Sequence, residues 1–190
     1  MKTDKVNVRT GVITLTVLAA AFSRLIPHPW NFTAIGATAL FGAAYYSNRL
    51  LALSIPLLAL WLSDLVMNNT IYSGFNNHSL WLFPSSFPWD YAAFLLVGVT
   101  GMGLLKKINL TRVIGASVTA SVVFFLASNF GCWLGSALYP HSLGGLMLCY
   151  GAGIPFFWNS VAGDLFYCGI LFGAFELAKF KFQVLGKTSV

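Results

Sequence analysis

Charged side chains are the scarcest feature of this 190-residue chain. Only 8% of its residues are Asp, Glu, Lys or Arg, whereas 57% are hydrophobic. A soluble domain normally has about a quarter of charged residues, so this composition excludes an ordinary soluble protein. Aromatic residues make up 16% of the chain. Because disordered segments contain few aromatic side chains, a disordered or nucleic-acid-binding chain is excluded as well.

Cysteines and recognisable catalytic motifs are also scarce. The three cysteines are Cys132, Cys149 and Cys168, and none belongs to a Cys-x-x-Cys pair. This excludes a disulfide framework and a zinc site, although Cys132 and Cys149 could form one disulfide. The sequence contains no Gly-x-Ser-x-Gly, no His-Glu-x-x-His and no glycine-rich phosphate loop. We therefore predict no cofactor.

Long runs of apolar residues are the main feature of the sequence. A helix needs about 20 apolar residues to cross the hydrocarbon of a bilayer, and a backbone in lipid must satisfy its own hydrogen bonds. The runs predict an all-α integral membrane protein, a single domain over residues 1–190 with six transmembrane helices. The second run is short and, taken alone, could be a re-entrant loop. The predicted spans are 8–26, 31–46, 50–67, 91–105, 113–134 and 151–178.

The positions of the basic residues predict the orientation. Cytoplasmic segments of membrane proteins are rich in Lys and Arg. With six crossings and both termini in the cytoplasm, ten of the 11 Lys and Arg residues lie inside, and only Arg24 lies outside. If the second run did not cross, the best orientation, with the N-terminus outside, would place eight of these residues inside and three outside. The pattern therefore favours six crossings with the N- and C-termini inside.

Two predicted external loops are long and contain no Lys or Arg. The loop at 68–90 holds His78, Trp81 and Trp89, and the loop at 135–150 holds Tyr139 and His141. Ordinary connections have about 4–6 residues, so loops of this length indicate an outward-facing site. An aromatic belt at the membrane interface accounts for about half of the rings.

Ionisable residues inside a membrane usually form pairs or mark a functional site. Arg24, Asp64 and Asp164 lie within or near the outer parts of the predicted spans. Arg24 is expected to pair with one aspartate as a structural salt bridge. The other aspartate could then face a ligand or relay protons. The sequence does not distinguish which aspartate takes which role.

Further polar groups are candidates for ligand contacts. The turn Pro27–Thr33 contains His28 and Asn31, and it could form a lid over a pocket. Alternatively, Asn31 or Thr33 could cap the second helix. Asn129 and Asn159 lie inside predicted spans, where they suit interhelical hydrogen bonds or a polar ligand. Trp158 could stack on a ligand ring.

Several segments carry a family resemblance. They are Arg24-Leu25, Pro27-His28-Pro29, Asn31-Phe32-Thr33, Gly36-Ala37, Leu62-Ser63-Asp64, Ser128-Asn129-Phe130-Gly131, Tyr139-Pro140, and Pro155-Phe156-Phe157 with Asn159 and Gly163-Asp164. In these segments the chain resembles a bacterial membrane-protein family of unknown function. Its members are similar to S components, the substrate-binding subunits of energy-coupling factor (ECF) vitamin transporters.

The resemblance implies a six-helix S-component-like bundle in the bacterial cytoplasmic (inner) membrane. Its ligand site would open outward under loops 1, 3 and 5. It also implies a shared transmembrane and ATPase module as a partner, but helix 1 lacks the Ala-x-x-x-Ala motif that docks this module. The chain is also similar to solitary cobalamin S components. These ligate cobalt through a third-loop cysteine, and the only metal-ligand candidate in that loop here is His78.

The resulting hypothesis is a transport protein that binds a small, vitamin-like micronutrient from the external face, with a cobalamin-type ligand as one option. One alternative is an intramembrane enzyme using Asp64 and Asp164, and another is a structural membrane subunit without a ligand. The expected partners are the lipid bilayer and a small molecule, not nucleic acid. The candidate ligand-binding residues are Arg24, His28, Asn31, Asp64, His78, Trp81, Trp89, Asn129, Tyr139, His141, Trp158, Asn159 and Asp164.

Overall fold

The computed structural model describes residues 2–76, 80–83 and 87–186, which form six helices of at least eleven residues and one short C-terminal helix. Two 3-10 turns, Ser23–Leu25 and Ser73–Asn76, follow the first and third helices. The helices are α1 (Lys2–Phe22), α2 (Ile35–Tyr45), α3 (Arg49–Asn69), α4 (Phe87–Leu104), α5 (Leu110–Gly135), α6 (Leu143–Lys181) and α7 (Gln183–Gly186).

Five of these helices are long and apolar enough to cross a membrane: α1, α3, α4, α5 and α6. Their outer surfaces carry large hydrophobic side chains that no other part of the protein covers. Leu15, Met147 and Phe180, for example, are 68%, 76% and 87% exposed. Such a surface is stable in lipid rather than in water. The chain is therefore a multi-pass membrane protein, as its composition predicts.

The short helix α2 lies at the centre of the bundle, where it contacts each of the five long helices. Nine of its eleven residues are buried. The ring of Phe41 packs edge-on against Phe172 and Phe175 of α6, with ring centroids 5.6 and 5.3 Å apart. The main hydrophobic core thus surrounds α2 and reaches every other long helix.

The predicted span 31–46 is wrong at its start, because the helix begins only at Ile35. The residues before it form an irregular segment in which Asn31 has a positive φ of 61°. Eleven residues of helix extend about 16 Å, roughly half of the hydrocarbon thickness. A helix this short does not span a bilayer alone, and α2 is enclosed by protein instead.

The predicted span 151–178 is also too short. The sixth helix begins at Leu143, where the Ser142 hydroxyl accepts a hydrogen bond from the Gly145 amide at 3.2 Å and caps the first turn. The helix continues through Pro155 to Lys181. The long fifth loop predicted at 135–150 is therefore reduced to residues 136–142.

Contacts between helix ends show how the bundle is ordered. Arg24, after α1, binds Asp64 near the end of α3, so α1 and α3 run parallel. At the other end, Arg9 of α1 donates to the Leu185 carbonyl at 3.1 Å. There Tyr45 at the end of α2 donates to Glu176 of α6 at 2.6 Å. We call this second end the basic end. The helix termini there, together with the connection between α4 and α5, carry Lys2, Lys5, Arg9, Arg49, Lys106, Lys107, Arg112, Lys179 and Lys181.

Close packing between α2 and α3 depends on Gly42. A Cβ atom at this position would lie 2.9 Å from the Ala52 carbonyl oxygen and 2.8 Å from Pro56 Cγ. The backbone oxygen of a helix cannot move aside, so the two helices would have to separate. We expect Gly42→Ala to lower the free energy of unfolding by about 1–3 kcal/mol, as overpacking does in cores.

Gly103 provides the matched control, because a Cβ atom there meets nothing within 4 Å. Gly103→Ala should leave stability unchanged or raise it slightly, since alanine favours helix over glycine. Thermal unfolding of the detergent-solubilised variants would measure both effects. Equal stability of the two variants would show that the α2–α3 contact is not as tight as described.

Candidate functional site

A partly open cavity of 330 Å³ lies inside the half of the bundle opposite the basic end. We call this half the cavity end. The walls come from α3, α4, α5 and α6, and the irregular segment before α2 and the first turn of α2 complete the lining. Its volume is at the lower end of the range of about 300–1,000 Å³ that is usual for small-molecule pockets.

Aromatic rings form much of the cavity wall. The rings of Phe94 and Phe124 stack with centroids 4.6 Å apart, and those of Phe125 and Phe157 lie 5.0 Å apart. Phe156 also lines the cavity. These rings come from α4, α5 and α6, so they enclose the cavity from three directions.

The polar lining is equally extensive. It consists of Arg24, Asn31, Thr33, Asp64, Asp90, Ser128, Asn129, Ser160 and Asp164. A cavity with apolar walls and a few converging polar groups is the usual form of a small-molecule site. The arrangement can bind and orient a small molecule that has both an apolar body and a polar or charged group.

Arg24 pairs with Asp64, which answers the question that the sequence left open. Its Nη1 lies 2.6 Å from Asp64 Oδ1, and both side chains are less than a fifth exposed. Tyr91 of α4 donates from its hydroxyl to Asp64 Oδ2 at 2.9 Å. This cluster joins the ends of α1, α3 and α4, and it forms one corner of the cavity.

Asp164 has different partners. Its Oδ2 accepts a hydrogen bond from the Ser121 hydroxyl of α5 at 2.6 Å, and its carboxylate also accepts from the Ala37 amide. Ala37 lies in the first turn of α2, where helix amides have no intrahelical acceptor. The N-cap residue of α2 is Ala34, which makes no side-chain cap bond. A carboxylate of α6 therefore caps α2, and the prediction that Asn31 or Thr33 would do so is wrong.

Two glycines allow this cap to form. A Cβ atom at Gly36 would collide with the Asp164 carboxylate, so only glycine leaves room for it. A Cβ atom at Gly163 would lie 3.0 Å from the Thr33 amide nitrogen and 3.1 Å from Phe32 Cα. Gly163 thus allows the irregular segment to pack against α6, and the next residue, Asp164, caps α2.

Five of the residues predicted to bind a ligand line the cavity: Arg24, Asn31, Asp64, Asn129 and Asp164. They come from four separate stretches of the chain. The structure therefore brings together the charged groups and two of the amides that the sequence singled out.

Seven other predicted residues do not line the cavity: His28, Trp81, Trp89, Tyr139, His141, Trp158 and Asn159. His28 contacts the Ile26 carbonyl of its own turn, and Asn159 donates to the Trp30 carbonyl, which anchors the irregular segment on α6. His141 packs against Trp133. Trp158 is 64% exposed on the outer surface. The predicted His78 lies outside the described residues.

Trp89 shows why several of the predicted rings lie outside the cavity lining. Its side chain lies against Gly131 and Gly135 of α5, and a Cβ atom at Gly131 would collide with the indole. The indole thus fills a groove between α4 and α5. Trp81 contributes backbone groups instead, since its amide and carbonyl both bond the Asn69 side chain at 2.8 Å.

Sequence reasoning missed Asp90 and the phenylalanines of the lining. Asp90 stands in the first turn of α4 and lines the cavity. Phe124, Phe125, Ser128 and Asn129 follow the spacing of one helical face, which would have suggested a common direction. In an apolar helix, however, such a face does not show whether it borders lipid, another helix or a cavity.

The thiols are reduced in the structure. Cys132, Cys149 and Cys168 are free, and the Cys149 thiol donates to the Asn129 carbonyl at 3.3 Å. Among the residues whose positions are described, no group of three or more His, Cys, Asp or Glu side chains could hold a metal ion.

Comparison with known proteins identifies the family of the chain. The sequence model of a family of unknown function, DUF6580, matches residues 4–185. The chain therefore belongs to this family. No curated protein and no solved structure has significant similarity to it.

The Arg24–Asp64 pair can be tested by a double-mutant cycle. Removing one partner leaves the other charge without its counterion, so Arg24→Gln and Asp64→Asn should each lower the free energy of unfolding by about 3 kcal/mol. The double variant should lose less than the sum, with a coupling energy of about 1–3 kcal/mol. Thermal unfolding in detergent measures all four proteins.

The Glu176–Lys179 pair at the basic end is the matched control. It is more exposed, at 36% and 29%, and its atoms lie 2.9 Å apart. The same cycle with Glu176→Gln and Lys179→Gln should give a coupling below about 1 kcal/mol. Additive losses at Arg24 and Asp64 would contradict a coupled pair.

Proposed function

We propose that this DUF6580 protein is a membrane transport protein of the S-component type. It takes up a small, vitamin-like micronutrient that enters the cavity from the external face of a bacterial cytoplasmic membrane. The observation that carries the proposal is the 330 Å³ cavity, whose wall combines five phenylalanine rings with Arg24, Asp64, Asp90 and Asp164. Charged groups inside a membrane protein are costly, and they usually serve a substrate or ion pathway.

The orientation follows from the two ends of the bundle. Because α1 and α3 run parallel, the chain between them must return from the cavity end to the basic end, and α2 lies on this return path. This supports six passes with both termini in the cytoplasm. The basic end then faces the cytoplasm, as the positive-inside rule requires, and the cavity faces outward.

A binding function agrees better with the geometry than catalysis by paired aspartates. Acid-pair catalysis requires two carboxyl groups close enough to share a proton. Here Asp64 bonds Arg24 and Tyr91, whereas Asp164 bonds Ser121 and the first turn of α2. Both carboxylates are held by other groups. A purely structural subunit would have no use for the cavity, since protein interiors normally pack without voids of this size.

The cavity also indicates the size of the ligand. Its volume is at the lower end of the range for small-molecule pockets, which favours a molecule with one or two rings over a corrinoid. The inference that a shared ATPase module supplies the energy rests on the resemblance to S components. The first helix has Thr10, Gly11 and Thr14 where many S components have the docking alanines.

The number of passes can be tested with truncated fusions to alkaline phosphatase, which is active only outside the cytoplasm. A fusion after Trp30 should be active and a fusion after Asn48 inactive, because six passes place the first position outside and the second inside. Fusions after Lys107 and Leu138 lie on either side of α5 and provide one reference for each side of the membrane. Equal activity after Trp30 and Asn48, whether both are active or both inactive, would exclude the pass through α2.

The binding function can be tested by filling the cavity. Ser160 lines the cavity, whereas Ala162, two residues later on α6, is exposed on the outer surface. We expect small molecules that co-purify with the protein to be identified by mass spectrometry after denaturation. Ser160→Phe should reduce their amount by at least about tenfold, since the new ring occupies their site.

Ala162→Phe is the control, and it should retain the bound molecule while adding the same side chain. Gel filtration of both variants establishes that they fold. A protein that carries no small molecule, or a Ser160→Phe variant that carries as much as the wild type, would contradict the proposal.

A further inference from the structure

Three polar side chains of the cavity lining share one local arrangement. Each donates a hydrogen bond to the backbone carbonyl of the residue four positions earlier, at 2.7, 2.8 and 3.2 Å. In each case the earlier residue is a phenylalanine that also lines the cavity. We call these pairs the Phe-polar units. They are Phe124–Ser128 and Phe125–Asn129 on α5, and Phe156–Ser160 on α6.

The bonds to the helix backbone leave the polar members of the units as acceptors. A hydroxyl group has one proton and two lone pairs. Ser128 and Ser160 direct this proton to the helix, so their lone pairs remain for a ligand. Asn129 turns its Nδ2 to a backbone carbonyl, so Oδ1 is on the other side of the amide. Gly153 leaves this oxygen uncovered, because a Cβ atom there would lie 2.5 Å from it.

The cationic donor of the lining is already engaged by protein groups. Arg24 binds Asp64 Oδ1 through Nη1 at 2.6 Å, and the same nitrogen lies 3.4 Å from the Ser63 hydroxyl. Its Nε is enclosed by protein. Asn31 and Thr33 also line the cavity, but they belong to the irregular segment before α2. The wall formed by α5 and α6 is therefore rich in acceptors.

The spacing within each unit suits a flat ring. Side chains four residues apart on a helix have Cβ atoms about 5–6 Å apart. A ring that packs against the phenylalanine therefore brings its edge to the polar side chain one turn away. Phe94 of α4 extends the apolar surface, since it stacks on Phe124 with the ring centroids 4.6 Å apart. The wall thus offers ring contacts and hydrogen-bond acceptors side by side.

We propose that the cavity selects a flat ring compound with N–H or O–H groups along the edge that faces α5 and α6. This inference rests on the proposed function and specifies the chemical class of its ligand. A donor on that edge bonds an acceptor of the Phe-polar units. An acceptor in the same place stays unpaired against other acceptors, which lowers the affinity.

Indole and benzofuran test the inference, because they have nearly the same shape and the N–H of indole is a ring oxygen in benzofuran. Their binding to the purified full chain in detergent is measured by isothermal titration calorimetry, with detergent alone as the blank. Indole should bind about fivefold more tightly, as expected for one hydrogen bond gained. Ser160→Phe should abolish the binding of both probes, which would locate them in the cavity.

Removal of the acceptors tests the origin of this preference. The triple variant Ser128→Ala, Asn129→Leu and Ser160→Ala keeps the phenylalanines of the three units. It should bind indole about fivefold more weakly than the wild type, and benzofuran with an affinity within about twofold. The retained benzofuran binding shows that the variant folds. Thr119→Ala is the control, because Thr119 of α5 makes the same bond to the Gly115 carbonyl at 2.8 Å outside the cavity lining. It should change neither affinity.

Equal affinities of the two probes for the wild type would overturn the inference. A preference that survives in the triple variant would do so too, as would no detectable binding of indole at millimolar concentration. If the triple variant does not fold, the double variant Ser128→Ala and Ser160→Ala decides. Its preference for indole should fall to about twofold, and an unchanged preference would overturn the inference.

The co-purification experiment separates this inference from the proposed function. A co-purified molecule without N–H or O–H groups would overturn the inference while leaving the transport proposal intact. The transport proposal fails instead if the Ser160→Phe variant carries as much of the molecule as the wild type. The two proposals therefore fail separately.

Discussion

The hydrogen bonds at the start of α2 are the constraint on which the rest of the structure depends. A helix of eleven residues that ends at the basic end must begin about halfway through the bundle. Its first amides then lie where neither water nor lipid can be relied on to accept their hydrogen bonds. Asp164 of α6 accepts one of these bonds, and Ser121 of α5 holds the carboxylate in position. Three helices are thereby tied together at one side chain.

The cavity follows from the same arrangement. Because α2 stops short, the space above its first turn is not filled by helix, and Ile35 and Gly36 form part of the cavity wall. The irregular segment before α2 is held at the side by Gly163 and by the bond from Asn159 to the Trp30 carbonyl. The residues that hold the start of α2 also shape the site, since Asp164 both caps α2 and lines the cavity.

Charge placement links stability with the proposed function. The Arg24–Asp64 pair joins α1 to α3 and is also part of the cavity wall. Asp90 and Asp164 line the same cavity, although each such group is costly in a membrane protein. A molecule that binds in the cavity would stabilise the fold, because it binds the folded protein and not the unfolded chain. The same residues can therefore serve the empty bundle and its ligand.

The linear pattern of residues was sufficient for the membrane class, for the approximate positions of five long helices and for the importance of Arg24, Asp64 and Asp164. These depend on local hydrophobicity and on the cost of charge in lipid. Both follow from the residue types along the chain, whatever their neighbours in space. Other features depended on which helix faces meet. These are the start of α2, the partner of each aspartate, and the presence of Asp90 and the phenylalanines in the cavity lining. An apolar face has the same composition whether it borders lipid, as at Trp158, a helix groove, as at Trp89, or a cavity, as at Phe124. Packing in three dimensions distinguishes these cases, because only there do residues far apart in the chain become neighbours.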